Sequence, residues 1–173
     1  LAAVRVADGA VVETFNQLVN PDVPIHLGAR AVHGISAADL VGQPSMAAVL
    51  PRFIRFTASL PLVAHNAVFE QSFLAAECLA FCLPDPFRKF YCTVELSRYC
   101  TPWLPRHNLD ALIQHYGISV RGRHRALADV LATQQLYEIF RRAFLEGYPP
   151  PTGGVRQGYR LPPSPPPGAR RHW

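Results

Sequence analysis

The sequence predicts one α/β domain, with helices layered on a sheet that is parallel except for an antiparallel hairpin at one edge. Three observations carry this. Short Val-rich or wholly apolar runs alternate with longer segments of helical periodicity, the pattern of strands followed by helices. A chain of 173 residues, 49% hydrophobic, has the material for a single core. Asp8-Gly9, a dipeptide that accepts the positive φ angles of a tight turn, separates two runs of strand-like composition.

Residues 2 to 7 and 11 to 19 read as the two strands of that hairpin. Residues 20 to 24, Asn-Pro-Asp-Val-Pro, are a loop by their turn residues, and Ser36-Ala37-Ala38-Asp39 reads as a helix start with a capping serine. A second helix spans residues 45 to 57, with a kink expected at Pro51. Residues 61 to 64 form a wholly apolar run before a turn, as a buried strand does. The next helix carries Phe69, Phe73, Leu74, Cys78 and Phe81, read as an inner face packed on a sheet. Residues 89 to 92 read as a strand, 93 to 99 as a short helix, and 108 to 116 as a helix ended by Gly117. In the last helix, 125 to 146, Leu127, Val130, Leu131, Tyr137, Phe140 and Phe144 are read on one side, and Gly147 stops it.

The domain is therefore read as residues 1 to 147. Residues 148 to 173 shift to Pro, Gly and Arg, a composition that buries too little apolar surface to offset its ordering entropy, so a disordered tail is expected. Charge divides along the same line. The net +5 is +1 in the body and +4 in the tail, from Arg156, Arg160, Arg170 and Arg171, so bulk charge does not make the body a nucleic-acid binder. Cys78, Cys82, Cys92 and Cys100 have no zinc-ligand spacing and read as reduced, packed thiols. No run approaches the ~18 apolar residues of a membrane span, and the start lacks the features of a signal peptide. A soluble, cytoplasmic protein without a membrane partner is expected.

Two strings carry the chemistry: His65-Asn66-Ala67-Val68-Phe69-Glu70 and His124-Arg125-Ala126-Leu127-Ala128-Asp129. A strand ending in His65-Asn66 puts Glu70 on the first turn of the following helix, above the carboxyl edge where open α/β sheets bind ligands. An acid on a first turn also simply complements the helix dipole, and both explanations stand at this point. His124 and Asp129 diverge by about 140° if both are helical, so they converge only with His124 in the loop before the helix and Asp129 on its second turn. A surface histidine and a solvated acid remain the alternative. Arg121, Arg123 and Arg125 surround His124 as a local phosphate-holding cluster. Carboxylates that hold Mg²⁺ or Mn²⁺ and a histidine that takes a proton from water suit a two-metal phosphodiester hydrolase.

Six strings in order, residues 18–21, 32–35, 62–70, 92–98, 107–112 and 124–129, carry a resemblance to the DEDDh 3′-5′ exonuclease family, in particular to the proofreading epsilon subunits of bacterial DNA polymerase III. The likeness spans about residues 2 to 146. It implies a ribonuclease-H-like fold with a mixed sheet flanked by helices, a single-stranded 3′ end as substrate, and two metal ions. It makes His124 the general base and Glu70 and Asp129 metal ligands, with Glu70 standing where the family usually has the shorter Asp. His65, Asn66, Phe69, Arg121, Arg123 and Arg125 are the candidate contacts to substrate, and a DNA polymerase subunit is a candidate partner.

The family's first motif, D-x-E followed by Thr, has only Val11-Val12-Glu13-Thr14 as a look-alike, and this is rejected because the segment that follows matches the family's third strand. The chain also begins with Leu, so a fragment or misplaced start lacking the first strand is expected. Two expectations follow: negligible activity from this polypeptide, and no direct pairing between residues 2–7 and 61–64. The alternatives are an exoribonuclease of the same architecture and a non-catalytic nucleic-acid-binding or polymerase-associated module.

Overall fold

The computed structural model describes residues 1–21, 23–57, 60–87, 89–122 and 125–145. The chain opens with the expected hairpin, β1 (Ala2–Ala7) and β2 (Ala10–Asn16), antiparallel, with Asp8 at φ 51° and Gly9 at φ 80° in the turn. Both signs are those of the tight turn that matches strand twist. Across the ladder Arg5 pairs with Glu13 at 2.6 Å and donates to the Phe56 carbonyl at 2.6 Å. Glu13 is thus engaged in the hairpin.

Helix α1 (Leu27–His33) has no counterpart in the sequence reading, because it buries no residue and so leaves no apolar stripe to detect. Gly34, at φ 65°, closes it, and the Ile35 N–H donates to His33 Nδ1 at 2.9 Å. Ser36 then caps α2 (Ala37–Leu40) in a full capping box with Asp39. Hydrogen bonding from Ser36 holds the Asp39 carboxyl below its ordinary range. Next come α3 (Met46–Thr57), with Pro51 inside it, and β3 (Leu62–Ala64). They are followed by α4 (Ala67–Ala80), β4 (Phe90–Cys92), α5 (Thr93–Cys100), α6 (Leu109–Tyr116) and α7 (Ala126–Leu145). Asn108 caps α6 by accepting from the Ala111 N–H, and Gly117 ends it at φ 64°.

Among the described residues the strands form two separate sheets, and residues 2–7 and 61–64 do not pair directly, as expected from the sequence. β1-β2 and β3-β4 are separate two-stranded sheets, the second parallel with Ala64 opposite Cys92. Among the described residues no ladder joins β1 to β3; α7 packs against both instead. Two hydrophobic clusters hold the domain. Leu50, Phe53, Leu74, Cys78 and Phe87 pack with Leu1, Ala3, Phe15, Leu62 and Phe90, tying α3 and α4 to strands of both sheets. Leu96, Cys100, Leu112, Ile118, Leu136 and Phe140 tie α5 and α6 to α7.

Three packing expectations are corrected. In α4 the buried residues are Ala67, Leu74 and Cys78, whereas Phe69 is 66% exposed and Phe73 and Phe81 are also exposed. Residues 67, 74 and 78 fall within about 40° on a helical wheel, but 69 and 73 lie roughly 200° and 240° from Ala67. In α7 the deepest positions are Ala128, Ala132, Thr133, Leu136 and Phe140; Leu127, Val130, Leu131, Tyr137 and Phe144 are half-buried beside them. Cys82 is exposed rather than packed, while Cys78 and Cys100 are buried, and burial pushes the Cys100 thiol up to about 11. No helix among the described residues is long and apolar enough to cross a membrane. Gly147 and the tail lie outside the described residues.

Candidate active site

The carboxyl end of β3 is where the first string falls. The chain leaves Ala64 through His65 and Asn66 and enters α4 at Ala67. Asn66 takes the left-handed conformation, φ 64° and ψ 53°, and its side chain makes no capping hydrogen bond to the helix it precedes. That conformation costs an L-residue about 1 kcal/mol, with Asn among the residues that tolerate it best.

Glu70 lies on the first turn of α4, half-buried. Its Oε2 is inaccessible and has no hydrogen-bond partner among the described residues. Burial pushes the carboxyl above its ordinary range, opposed in part by a hydrogen bond from its own backbone. A buried oxygen of this kind is costly, and a cation or a donor placed beside it would satisfy it. Asp129 lies on the first turn of α7, one turn earlier than expected, and its backbone N–H reaches the Arg125 carbonyl at 3.2 Å. The first turn is an acid-stabilising position. Because α4 and α7 both pack on β3, the two carboxylates begin helices flanking one strand.

The arginines divide. Arg121 and Arg125 are exposed on either side of Gly122, which has φ 72°, and the Arg125 N–H donates to the Gly122 carbonyl at 3.3 Å. Arg123 and His124 lie outside the described residues. Phe69 lies exposed on the first turn of α4 beside Glu70 in sequence, not on the core face.

Further residues of the recurring strings are stitched to one another. His65 Nδ1 lies 2.9 Å from the Thr93 hydroxyl, joining the turn after β3 to the start of α5. Ser97 donates to the Val94 carbonyl at 2.7 Å, so His107 Nδ1, 2.9 Å away, is the donor to Ser97. Burial, and then the Arg98 charge, lower the His107 pKa. Asn20 forms a parallel bridge with Ser45. Thr93 escaped the sequence reading. Its signal was a single hydroxyl at the junction of an apolar strand and a helix, where capping alone would account for it.

A metal centre built of carboxylates needs several donors. Among the described residues no group of three or more His, Cys, Asp or Glu gathers to hold an ion. The orphan oxygen of Glu70 fits one ligand position, and the rest of a two-ion donor set is not supplied by the described residues.

The fold has counterparts among solved structures. Exonuclease X in complex with 5′-overhanging duplex DNA matches with a TM-score of 0.64 and 28% identity, over 86% of this chain and 84% of that one. Exonuclease I matches with a TM-score of 0.66 over 82% of this chain and 36% of that one, at 21% identity, a likeness of fold alone. The fold is thus that of the ribonuclease-H-like exonucleases.

The exonuclease family, RNase_T, matches residues 1–137, and the chain belongs to it. DNA polymerase III subunit epsilon of Aquifex aeolicus is 32% identical over 137 residues, covering 79% of this chain and 68% of that protein. The PolC-type DNA polymerase III of Clostridium perfringens is 34% identical over 141 residues, 80% of this chain. The chain spans only 10% of that much longer relative. Exonucleases of this family generally use divalent metal ions.

Proposed function

We propose that this domain hydrolyses phosphodiester bonds at the 3′ ends of single-stranded DNA, in proofreading or repair, with a DNA polymerase subunit as partner. The cytoplasm is its expected compartment. The observation that carries the reading is the Glu70 oxygen, buried without a partner at the carboxyl edge of β3 in a chain of the exonuclease family. Glu70 and Asp129 act as ligands of Mg²⁺ or Mn²⁺, two ions in the complete site, and His124 is the general base. Bound ions would supply charge stabilisation for the attacking and leaving oxygens. His65, Asn66, Phe69, Arg121, Arg123 and Arg125 bind and orient the strand, the arginines through phosphates and Phe69 by stacking on a base.

A second reading, a non-catalytic nucleic-acid-binding or polymerase-associated module, is favoured by one observation. The described residues gather no group of three metal-binding side chains. Mg²⁺-dependent digestion of 3′-labelled single strands, DNA and RNA in parallel, separates the readings. The 173-residue chain alone should show negligible activity. With an upstream strand carrying D-x-E it should degrade DNA, and substitution of His124 should abolish that. Robust digestion by the chain alone would remove the need for further carboxylates. Strand binding without digestion, even with the added strand, would favour the binding module, and preference for RNA would redirect the substrate assignment.

A further inference from the structure

We propose that the solvent face of α4 is an interface with a second copy of this chain, the two helices packing antiparallel about a twofold axis that passes between Leu74 and Ala75.

The inference goes beyond the strand-binding reading and starts from the composition of the helix. On the side of α4 opposite its buried residues Ala67, Leu74 and Cys78, the side chains are again apolar. Phe69, Phe73, Ala76 and Ala80 follow one another at intervals of four, three and four residues and fall within about 60° on the helical wheel, with Val68 and Leu79 on one flank. All six are exposed, Val68 at 67% and Leu79 at 81%. Ser72 is the one polar residue on that arc, and no charged residue falls on it. A helix apolar all round is one that packs on both sides, and a contiguous exposed apolar face marks a surface for another protein.

The order of large and small residues says which protein. Phe69 and Ala80 are equidistant from the point between Leu74 and Ala75, and so are Phe73 and Ala76. An antiparallel copy centred there sets each phenylalanine opposite an alanine, the interdigitation that helices about 8–10 Å apart require. The twofold axis repeats every contact, so one self-complementary patch serves both copies. It also brings like flanks together, Val68 of one copy beside Leu79 of the other. The acids of α4, Glu70 and Glu77, lie about 100–120° around the helix from Ala76 and stay outside the contact. A parallel pair would instead set ring against ring and turn those acids toward the apolar flank of the other copy. The 14-residue helix offers a face about 21 Å long and about 10 Å wide. That is short of the ~800 Å² per partner of a standard interface, so the dimer is reversible, with a dissociation constant on the order of 10–100 µM.

The test is sedimentation velocity on the full chain from about 5 to about 500 µM, without nucleic acid because a base stacked on Phe69 would compete for the face. Wild type should pass from monomer to dimer across that range. Ala76→Glu and Ala76→Lys, at an exposed position and with folding checked by circular dichroism, should each stay monomeric. Mixed in equal amounts they should dimerise, because the two copies of residue 76 lie only about 4.5 Å apart along the helix axis. Ala80→Glu and Ala80→Lys should show no such rescue, since the antiparallel register holds the two copies of residue 80 roughly 16 Å apart. A wild type that stays monomeric throughout would overturn the proposal, whatever other molecule covers the face. So would a dimer that persists in Ala76→Glu, or a mixture of the two Ala76 variants that stays monomeric. Rescue by mixing at both positions would overturn the antiparallel arrangement.

Discussion

Replacing Glu70 with Gln tests the reading of the carboxylate directly, because it removes the charge and keeps the shape. Burial raises the Glu70 pKa above the value of about 4.3 expected of an unfolded chain. Between the two values the folded state keeps a proton that the unfolded state has released. Stability therefore falls as pH rises through that window, and above the folded pKa the whole penalty is present. A buried polar group left unsatisfied costs about 1–3 kcal/mol, and because Glu70 is only half-buried, solvent screening reduces this to about 1 kcal/mol. Glu70→Gln should thus be more stable than wild type by about 1 kcal/mol at pH 7, or roughly 3 °C in melting midpoint, with the two converging near pH 4. Urea unfolding followed by circular dichroism across that range measures it. Equal stability at pH 7, or a gain that persists unchanged at pH 4, would refute the argument that an uncompensated charge sits there.

Asn66→Gly should relieve the left-handed backbone and stabilise the fold by up to about 1 kcal/mol, while weakening single-strand binding in an anisotropy titration. Stabilisation without any loss of binding would remove Asn66 from the strand-contacting set. The two faces of α4 should respond oppositely to truncation: Leu74→Ala is expected to cost about 2–5 kcal/mol in denaturant unfolding, and Phe69→Ala less than about 0.5 kcal/mol. Strand affinity should move only with Phe69. Asn108→Ala, which deletes the α6 cap, should cost about 1 kcal/mol, and a change within error would mean that the helix is held by its packing alone.

Local chemistry was the most legible part of the sequence. Asp8-Gly9, Ser36 with Asp39 and Gly117 each act within a few residues, and each turn or cap they announced is formed. The faces of α4 and α7 were less legible, because a spacing of three or four residues in an apolar-rich helix draws more than one stripe. Depth is decided by what packs opposite, and in α7 that favours alanines, whose modest hydrophobicity hides them. Helix α1 was missed for the complementary reason that it touches no core. At the site, Glu70 and the His65-Asn66 turn could be placed from the strand-turn-helix pattern, but the partner of His65 could not. Thr93 stands 28 residues away, brought near by the β3-β4 ladder alone.

The division between the two sheets has a consequence for how the domain opens. Backbone hydrogen bonds make a ladder resist separation cooperatively, and that cooperativity stops between β1 and β3. The hairpin is instead retained by side chains and by such links as the bond from Gln134 on α7 to the Gly9 carbonyl at 3.1 Å. The hairpin is therefore expected to open before β3, β4 and the turn bearing His65. Amide exchange in the native state should accordingly resolve two populations, with hairpin amides exchanging through a partial opening and those of α5, α6 and α7 only through global unfolding.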